Sequence, residues 1–333
     1  MDASGVAFSK SLSIVVPCFD EADVLVEFHR RLTSALANQL VDIEIIYIND
    51  GSTDSTADVI GDLRKTDHRV GCVNLSRNFG KESALSAGLD HARGDAIVFI
   101  DADLQDPPEC IPSMLDAWRR GIDVVAMKRA DRSSETAFKR ASAFAFYRLL
   151  SVLSDVDIPE NVGDFRLLSR RAADALRSLP ERNRYMKGLF AWVGFKTVEL
   201  EYKRESRLAG KSKWPVLRLI RLAFDGITSF SIAPLRLASF GGATVALLSV
   251  CYAVFVVVKT LVFGEAVAGF PTLAAMVAFL GGVQLMAVGL LGEYIGRLMI
   301  EGKGRPLYIV QDVQLPAEIP VRRTSGLIDN SIS

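Results

Sequence analysis

The sequence predicts an α/β fold with a doubly wound, mostly parallel β-sheet, followed by a C-terminal part that enters a membrane. Short apolar runs alternate with helical patterns through the N-terminal part, which is typical of βαβ units. The run Ala96–Ile100 is apolar throughout, as in strands buried on both faces of a parallel sheet. Two uncharged stretches, the 22 residues Leu237–Val258 and the 27 residues Ala266–Gly292, are each long enough to cross a bilayer, which takes about 20 residues.

The composition narrows the class of protein. The chain has 333 residues, which is about two domains' worth. Lys and Arg number 39, as do Asp and Glu, so the basic surplus of a nucleic-acid-coating protein is missing and we expect no nucleic-acid partner. An apolar share of 50% excludes a disordered chain. The four cysteines form no Cys-x-x-Cys pair, which predicts free thiols in a reducing compartment, and residues 1–10 lack the apolar core of a cleaved secretory signal.

The individual elements follow from apolar periodicity and turn residues. Strands are predicted at Leu12–Val16, Ile43–Ile48, Val70–Leu75 and Ala96–Ile100, and helices at Glu21–Leu40, Ser55–Lys65 and Lys81–Ala92. In the first helix Val24, Phe28, Leu32 and Leu36 share one face, which predicts that this face packs on the sheet.

The two uncharged stretches predict a hairpin of transmembrane helices, at about residues 237–260 and 270–292. The link between them carries only Glu265 as an acid, whereas Arg and Lys flank both outer ends, so the positive-inside rule places the N-terminal domain and both chain termini in the cytoplasm. A buried hairpin of a soluble protein is the alternative. Residues 138–153 and 214–232 have the pattern of basic amphipathic helices at a membrane interface, with ordinary surface helices as the alternative.

These segments predict the domain organisation. It comprises an α/β domain over residues 1–213, a juxtamembrane helix over 214–232, two transmembrane helices within 233–298 and a cytoplasmic tail over 299–333.

Acidic residues follow three of the predicted strands. Asp101-Ala102-Asp103 comes directly after the fourth strand, Asn49-Asp50-Gly51-Ser52 after the second, and Pro17 to Glu21 after the first. Since ligands bind at the carboxyl ends of strands in open α/β sheets, we expect these acids to meet at one crevice. Two carboxylates one residue apart suit Mg²⁺, which also takes oxygens from substrate phosphates. Turns and helix caps are the alternative interpretation of the first two strand ends.

Basic residues are predicted to balance phosphate charge at this crevice. Arg77 and Lys81 follow the third strand, and the loop Arg207–Lys213 is basic and contains Gly210. The sequence Gly210-Lys211-Ser212 mimics the end of a P-loop, but position 205 is Glu rather than Gly, so a P-loop is excluded. A basic loop that closes on a diphosphate is the favoured interpretation, with a membrane-facing basic patch as the alternative.

Taken together in order, these motifs resemble those of the family-2 glycosyltransferases that use a polyprenyl phosphate acceptor. That group includes the dolichyl-phosphate mannose synthases and, more similar still, the bactoprenol glucosyltransferases. The resemblance covers nearly the whole chain. The matching stretches are Ile14–Pro17, Asn49–Asp54, Leu75–Lys81, Asp101–Pro108, Gly163–Leu167, Arg184–Gly188 and Arg207–Lys213.

The resemblance implies a GT-A fold, a nucleotide-sugar donor and a divalent cofactor, Mg²⁺ or Mn²⁺. Asp103 and Asp164 are the implied catalytic residues, with Asp164 facing the acceptor or the sugar. The metal would lie on Asp101 and Asp103. The implied donor-binding residues are Pro17, Phe19, Glu21, Ile48 and Asp50 around the nucleoside, Asp101, Ala102, Arg77 and Lys81 at the diphosphate, and Arg207 and Lys213 closing on the donor.

The implied reaction moves a sugar, with inversion, from a nucleotide sugar to undecaprenyl phosphate at the plasma membrane. UDP-glucose is the favoured donor; mannose from GDP-mannose, an amino-arabinose from UDP, and a non-catalytic scaffold are the alternatives. The absence of a Gln-x-x-Arg-Trp pattern argues against a polysaccharide polymerase. Arg129, Arg140 or Arg148 would meet the lipid phosphate, with plain surface charge as the alternative. A two-helix hairpin favours a homo-oligomer.

Overall fold

The structure is a computed structural model that describes residues 10–130, 162–182, 184, 186–205, 233–263 and 269–316. The chain divides into two compact units. Of the described residues, the first unit contains those up to 205 and from 306 onward, and the second contains 233–263 and 269–305. The predicted amphipathic segments 138–153 and 214–232, and the basic loop Arg207–Lys213, lie outside the described residues.

Within the described residues, the first unit is built on a sheet of eight strands with the order β7-β5-β6-β4-β1-β2-β3-β8. Pairs β1–β2, β1–β4, β2–β3 and β5–β7 are parallel, whereas β4–β6, β5–β6 and β3–β8 are antiparallel. The strands are β1 Ser11–Cys18, β2 Asp42–Asn49, β3 Val70–Leu75, β4 Ala96–Phe99, β5 Val124–Arg129, β6 Val162–Ser169, β7 Thr197–Tyr202 and β8 Val310–Gln314. The prediction of an α/β fold with a mostly parallel sheet is confirmed.

Six helices of the first unit accompany this sheet within the described residues. They are α1 Ala22–Leu36, α2 Thr56–Thr66, α3 Lys81–His91, α4 Ile111–Arg119, α5 Arg170–Arg177 and α6 Met186–Trp192, and a short 3₁₀ helix at Pro108–Cys110 precedes α4. Helix α1 buries the predicted face, with Phe28 and Leu32 fully buried. It ends at Leu36, four residues earlier than predicted, because Leu40 is 93% exposed and gains no burial from a longer helix.

The core lies on both faces of the four parallel strands β1 to β4. Leu12, Ile14 and Val16 of β1 are fully buried together with Val15, which points to the opposite face. Side chains on both faces are therefore removed from water, which explains why these strands appear in the sequence as continuous apolar runs.

Strand β8 was not predicted, because the sequence suggested only a tail beyond residue 299. It pairs with β3, with Val313 opposite Val73, and the Ser76 amide donates to the Ile309 carbonyl at 2.9 Å. The chain thus returns to the sheet after the C-terminal helices and covers the β3 edge.

The second unit contains two long helices, α7 Ala233–Phe263 and α8 Phe270–Gly302. In the described part of the chain, one segment, Phe279–Gly302, is long and apolar enough to cross a membrane, and a shorter apolar segment spans Phe240–Tyr252. Large apolar side chains of both helices are exposed, including Phe240, Leu247, Leu285 and Met286.

Candidate active site

The carboxyl ends of β1, β2, β3 and β4 lie at one edge of the sheet because these strands are parallel neighbours. Backbone hydrogen bonds hold the ends in register. The Asp50 amide donates to the Cys18 carbonyl at 2.9 Å, and the Ile100 amide donates to the Val15 carbonyl at 3.1 Å. The predicted convergence of the strand ends is therefore present in the structure.

Asp50 fixes the turn that follows β3. Its carboxylate accepts hydrogen bonds from the Phe79 amide at 2.7 Å and the Gly80 amide at 2.9 Å. Burial raises the pKa of Asp50, and these two amides oppose the rise. The Arg77 guanidinium lies over the Phe79 ring, 4.0 Å from its centre. The predicted residues Asp50, Arg77 and Lys81 thus belong to one connected turn.

Gly51 permits this approach between the second and third strand ends. Its φ of +63° lies in the left-handed region, and a Cβ there would be 2.3 Å from the carbonyl carbon of Arg77. Any larger residue would push the two turns apart.

The first strand end shows the turn contacts that the alternative interpretation expected. Asp20 has a φ of +53°, and its carboxylate accepts a hydrogen bond from the Thr53 amide at 2.8 Å. The Glu21 amide donates to the Thr56 hydroxyl at 2.9 Å. Pro17 lies in β1 and Phe19 just beyond it, while Ile48 lies within β2 with its side chain fully buried. These contacts tie the first strand end to the second.

Lys81 connects two carboxylates at the centre of the edge. Its ammonium is 2.7 Å from Asp101 Oδ2 and 2.8 Å from Asp164 Oδ2, although the residues are far apart in sequence. Burial opposes the charge, but the two carboxylates together raise the pKa of Lys81. About two fifths of the lysine side chain, 42%, is exposed, so it lies at the surface of this edge of the sheet rather than in the core.

Asp164 is the third residue of β6, and its side chain is largely buried. Burial opposes its ionisation, but Lys81 and Lys187 overcome this and hold the pKa of Asp164 below its usual range. Its other oxygen, Oδ1, is buried and has no hydrogen-bond partner among the described residues. Asp164 is therefore an ionised carboxylate with one acceptor oxygen uncompensated, which is a costly arrangement in a finished core.

Two further charged residues surround Asp164 and were not predicted. Burial and the Asp164 carboxylate raise the pKa of Glu82 to about 7, and Glu82 accepts a hydrogen bond from the Met186 amide at 3.1 Å. Arg166 is buried, lies 3.8 Å from the centre of the Phe190 ring, and has its pKa lowered to about 10 by burial. No local pattern in the sequence distinguishes these residues from surface charges.

The Asp101–Asp103 turn fits a divalent cation. Ala102 and Asp103 are buried, and Asp103 Oδ1 accepts a hydrogen bond from the Gln105 amide at 3.1 Å. The described residues contain no group of three or more His, Cys, Asp or Glu side chains that would cage a metal. Two carboxylates with room for substrate oxygens suit Mg²⁺ or Mn²⁺, which bind phosphate oxygens alongside one or two protein carboxylates.

Arg129 is the one lipid-phosphate candidate within the described residues. It ends β5, and a Cβ added to Gly163 would be 3.7 Å from its guanidinium nitrogen, so it lies beside the residue that precedes Asp164. Its Nε is buried without a hydrogen-bond partner in the described part of the chain. Arg140, Arg148, Arg207 and Lys213 lie outside the described residues.

Comparison with known proteins identifies the class. Residues 13–177 match Glycosyl transferase family 2, and residues 233–298 match the GtrB C-terminal hairpin. The chain therefore belongs to glycosyl transferase family 2, and its sheet is of the GT-A type, as the motifs indicated.

Among its relatives is the bactoprenol glucosyl transferase of Shigella phage SfV, which is 47% identical over 90% of this chain and 98% of its own. A prophage bactoprenol glucosyl transferase homolog of Escherichia coli is 46% identical over 91% of this chain and 99% of its own. A solved structure, glucosyl-3-phosphoglycerate synthase from Mycobacterium tuberculosis with Mn²⁺ and UDP, is 22% identical with a TM-score of 0.47, covering 66% of this chain and 78% of its own.

Proposed function

We propose that this protein is a membrane-bound inverting glycosyltransferase that moves glucose from UDP-glucose onto undecaprenyl phosphate at the cytoplasmic face of the plasma membrane. The single observation that carries the proposal is the Lys81 ammonium held between Asp101 and Asp164. This cation joins the carboxylate at the donor diphosphate to the carboxylate beside the acceptor. The relatives named as bactoprenol glucosyl transferases support the choice of glucose and of a polyprenyl acceptor.

The donor occupies the crevice at the ends of β1, β2 and β4. Pro17, Phe19, Glu21 and Asp50 cradle the nucleoside, and Ile48, fully buried in β2, supports this site from within the sheet. Arg77 and Lys81 contribute positive charge to the diphosphate. Asp101 and Asp103, with Ala102 between them, would hold Mg²⁺ or Mn²⁺, which supplies Lewis acidity to the departing nucleotide. Arg207 and Lys213 close on the same phosphates with charge-assisted hydrogen bonds.

The nucleophile is an oxygen of the acceptor phosphate, positioned by Arg129 and Lys81. This oxygen forms a bond to the anomeric carbon as the bond from that carbon to the UDP oxygen breaks, and the electron pair leaves with UDP. A phosphate monoester is mostly dianionic at pH 7, since its second pKa is about 6, so no strong base is needed. Asp164 therefore acts first as an electrostatic group that holds Lys81, which agrees with the lowered pKa of its carboxyl.

The membrane part follows from the two long helices. Helices α7 and α8 form a transmembrane hairpin, with the amphipathic segments 138–153 and 214–232 at the cytoplasmic interface. This proposal assigns the catalytic domain to residues 1–213, the hairpin to 233–298 and the cytoplasmic end to 299–333. We also propose that the protein forms a homo-oligomer, in which the two-helix hairpins of neighbouring copies pack against one another.

A donor panel tests this function. The full-length protein, purified in detergent, is given undecaprenyl phosphate with UDP-glucose, GDP-mannose or a UDP-linked amino-arabinose, and the lipid product is analysed by mass spectrometry and NMR. We expect transfer from UDP-glucose alone and a β-linked product from the α-linked donor. Transfer only from another donor would overturn the choice of glucose, and an α-linked product would overturn direct displacement.

A pair of variants separates chemistry from folding. Asp103→Ala removes one candidate metal carboxylate and should abolish transfer while membrane insertion is retained. Asp116→Ala removes an aspartate that is 60% exposed on α4 and should leave transfer unchanged. Undiminished turnover of purified Asp103→Ala would contradict the proposed donor site.

A further inference from the structure

Among the described residues outside this site, Arg31 is an arginine whose side chain is held by two carboxylates at once. It lies on α1, only 16% of its side chain is exposed, and its guanidinium donates four hydrogen bonds of 2.8 to 2.9 Å. Two of these bonds reach the carboxylate of Glu109 and two reach that of Glu205. One planar cation therefore clamps two carboxylates that come from distant parts of the chain.

Both glutamates border the Asp101–Asp103 turn. Glu109 lies in the short 3₁₀ helix a few residues beyond this turn, and Glu205 follows β7. The Glu205 amide donates to the Gln105 carbonyl at 3.1 Å, and the Gln105 amide donates to Asp103 Oδ1 at 3.1 Å. A continuous series of contacts thus runs from Arg31 through Glu205 and Gln105 to the carboxylate of Asp103.

The turn that receives these contacts has a strained backbone. Leu104 is buried and has a φ of +59°, a left-handed conformation that residues with a branched side chain rarely adopt. Such a conformation persists only where the surroundings enforce it. Here the Tyr202 hydroxyl binds Asp106, and Arg204 binds the Gln105 side chain. The end of β7 therefore holds the turn from one side, and Arg31 anchors that end.

We infer that Arg31 is a positioning residue for Asp103: its guanidinium fixes Glu109 and Glu205, and through them the strained turn that presents the Asp103 carboxylate to the nucleotide diphosphate and its cation. The inference rests on the proposed function, because it assigns donor binding to Asp103. Without the guanidinium, the turn is free to relax and Asp103 leaves its binding position, whereas Arg129, the proposed acceptor contact outside this turn, keeps its place at the end of β5.

The test uses the full-length protein in detergent with UDP and Mn²⁺ as binding probes. Calorimetry gives the Kd for UDP in the presence of Mn²⁺, and kinetics give kcat and the KM values for donor and acceptor. For Arg31→Gln we expect Kd and the donor KM to rise about 10-fold or more, with a smaller change in the acceptor KM. Arg31→Lys keeps the positive charge but not the planar guanidinium that donates paired hydrogen bonds to each carboxylate, so it should recover only part of the affinity for UDP.

A control and a second variant complete the design. Arg30→Gln removes a neighbouring arginine on the same helix, 67% exposed and paired with Glu27, and should behave as wild type. Glu205→Gln weakens one half of the clamp and should raise the Kd for UDP in the same direction, which provides the answer if Arg31→Gln does not fold.

The outcomes separate this inference from the proposed function. Wild-type Kd for UDP in a folded Arg31→Gln or Glu205→Gln protein, with only the thermal stability lowered, would make Arg31 a structural clamp and overturn the inference. A wild-type protein that binds no UDP with Mn²⁺ and transfers no sugar would overturn the proposed function, and the inference with it.

Discussion

Replacing Lys81 with Met is the most informative single change, because it removes the cation shared by the two halves of the site. A hydrogen bond to a charged group contributes about 1.5 to 3 kcal/mol to stability when it is buried, and Lys81 makes two such bonds to carboxylates. Because 42% of the lysine side chain is exposed, solvent screening reduces this contribution, but Asp164, whose side chain is only 14% exposed, loses a counter-ion, so we expect the free energy of unfolding to fall by about 1 to 3 kcal/mol.

The effect on turnover is expected to be larger. Removing a single preorganised group that stabilises transition-state charge typically lowers kcat by about 10²- to 10³-fold, or about 2.7 to 4 kcal/mol. In Lys81→Met, Asp101 and Asp164 also lose their common counter-ion, so repulsion of the two incoming phosphates adds to the loss. We therefore expect a folded protein whose kcat falls by at least about 100-fold.

The assay measures release of UDP with undecaprenyl phosphate as acceptor, alongside thermal unfolding in the same detergent. Lys65→Met is the matched control, since Lys65 pairs with Asp62 on the surface of α2 and its side chain is 78% exposed. Lys81→Arg keeps the charge and should retain more activity than Lys81→Met. A kcat for Lys81→Met within about 10-fold of wild type, a difference of about 1.4 kcal/mol, would refute the bridging role.

Three other changes test separate parts of the structure. Gly51→Ala places a Cβ 2.3 Å from the Arg77 carbonyl carbon at a φ of +63°, so we expect stability to fall by about 1 to 3 kcal/mol and the donor KM to rise, as measured by thermal unfolding and kinetics. Arg93→Ala leaves the fully buried Glu44 without its 2.8 Å ion pair and should cost about 3 to 5 kcal/mol in a denaturation experiment; no loss would contradict the pairing. Burial raises the pKa of Glu82 from 4.5 to about 7, so the folded protein holds a proton that the unfolded chain has lost, and stability should fall by about 3 kcal/mol as pH rises through that interval. Glu82→Gln should abolish this loss of stability. If the melting temperature of Glu82→Gln depends on pH in the same way as that of the wild type, Glu82 is not the group responsible.

The elements that can be predicted are those whose burial produces an apolar pattern in the local sequence. Strands β1 to β4 are buried on both faces, so each appears as an apolar run, and β3 was predicted with the bounds Val70–Leu75 that the structure has. Strand β8, with the sequence Val-Gln-Asp-Val-Gln, is mostly exposed and has no apolar pattern. Its conformation depends on pairing with the backbone of β3, which lies about 240 residues earlier in the chain. The local sequence of β8 therefore does not indicate this pairing.

The same distinction applies to the site. Asp101 and Asp50 were predictable because they directly follow strands whose ends must meet at one edge. The contact between Lys81 and Asp164 depends on the antiparallel insertion of β6 beside β4, which no periodicity predicts. Arg31 contacts partners 78 and 174 residues away, so its role is visible only once the chain has folded.

The position of β8 has a consequence for how the protein is made. The ribosome translates β8 after both C-terminal helices, so the β3 edge waits for its neighbour while more than two hundred residues are added, on the order of tens of seconds at usual elongation rates. Throughout that interval β3 is an unpaired edge strand, whose free backbone N–H and C=O groups can pair with other chains. The last strand can close this edge only after both helices that precede it have been synthesised, so the sheet of the enzyme is completed after its C-terminal helices.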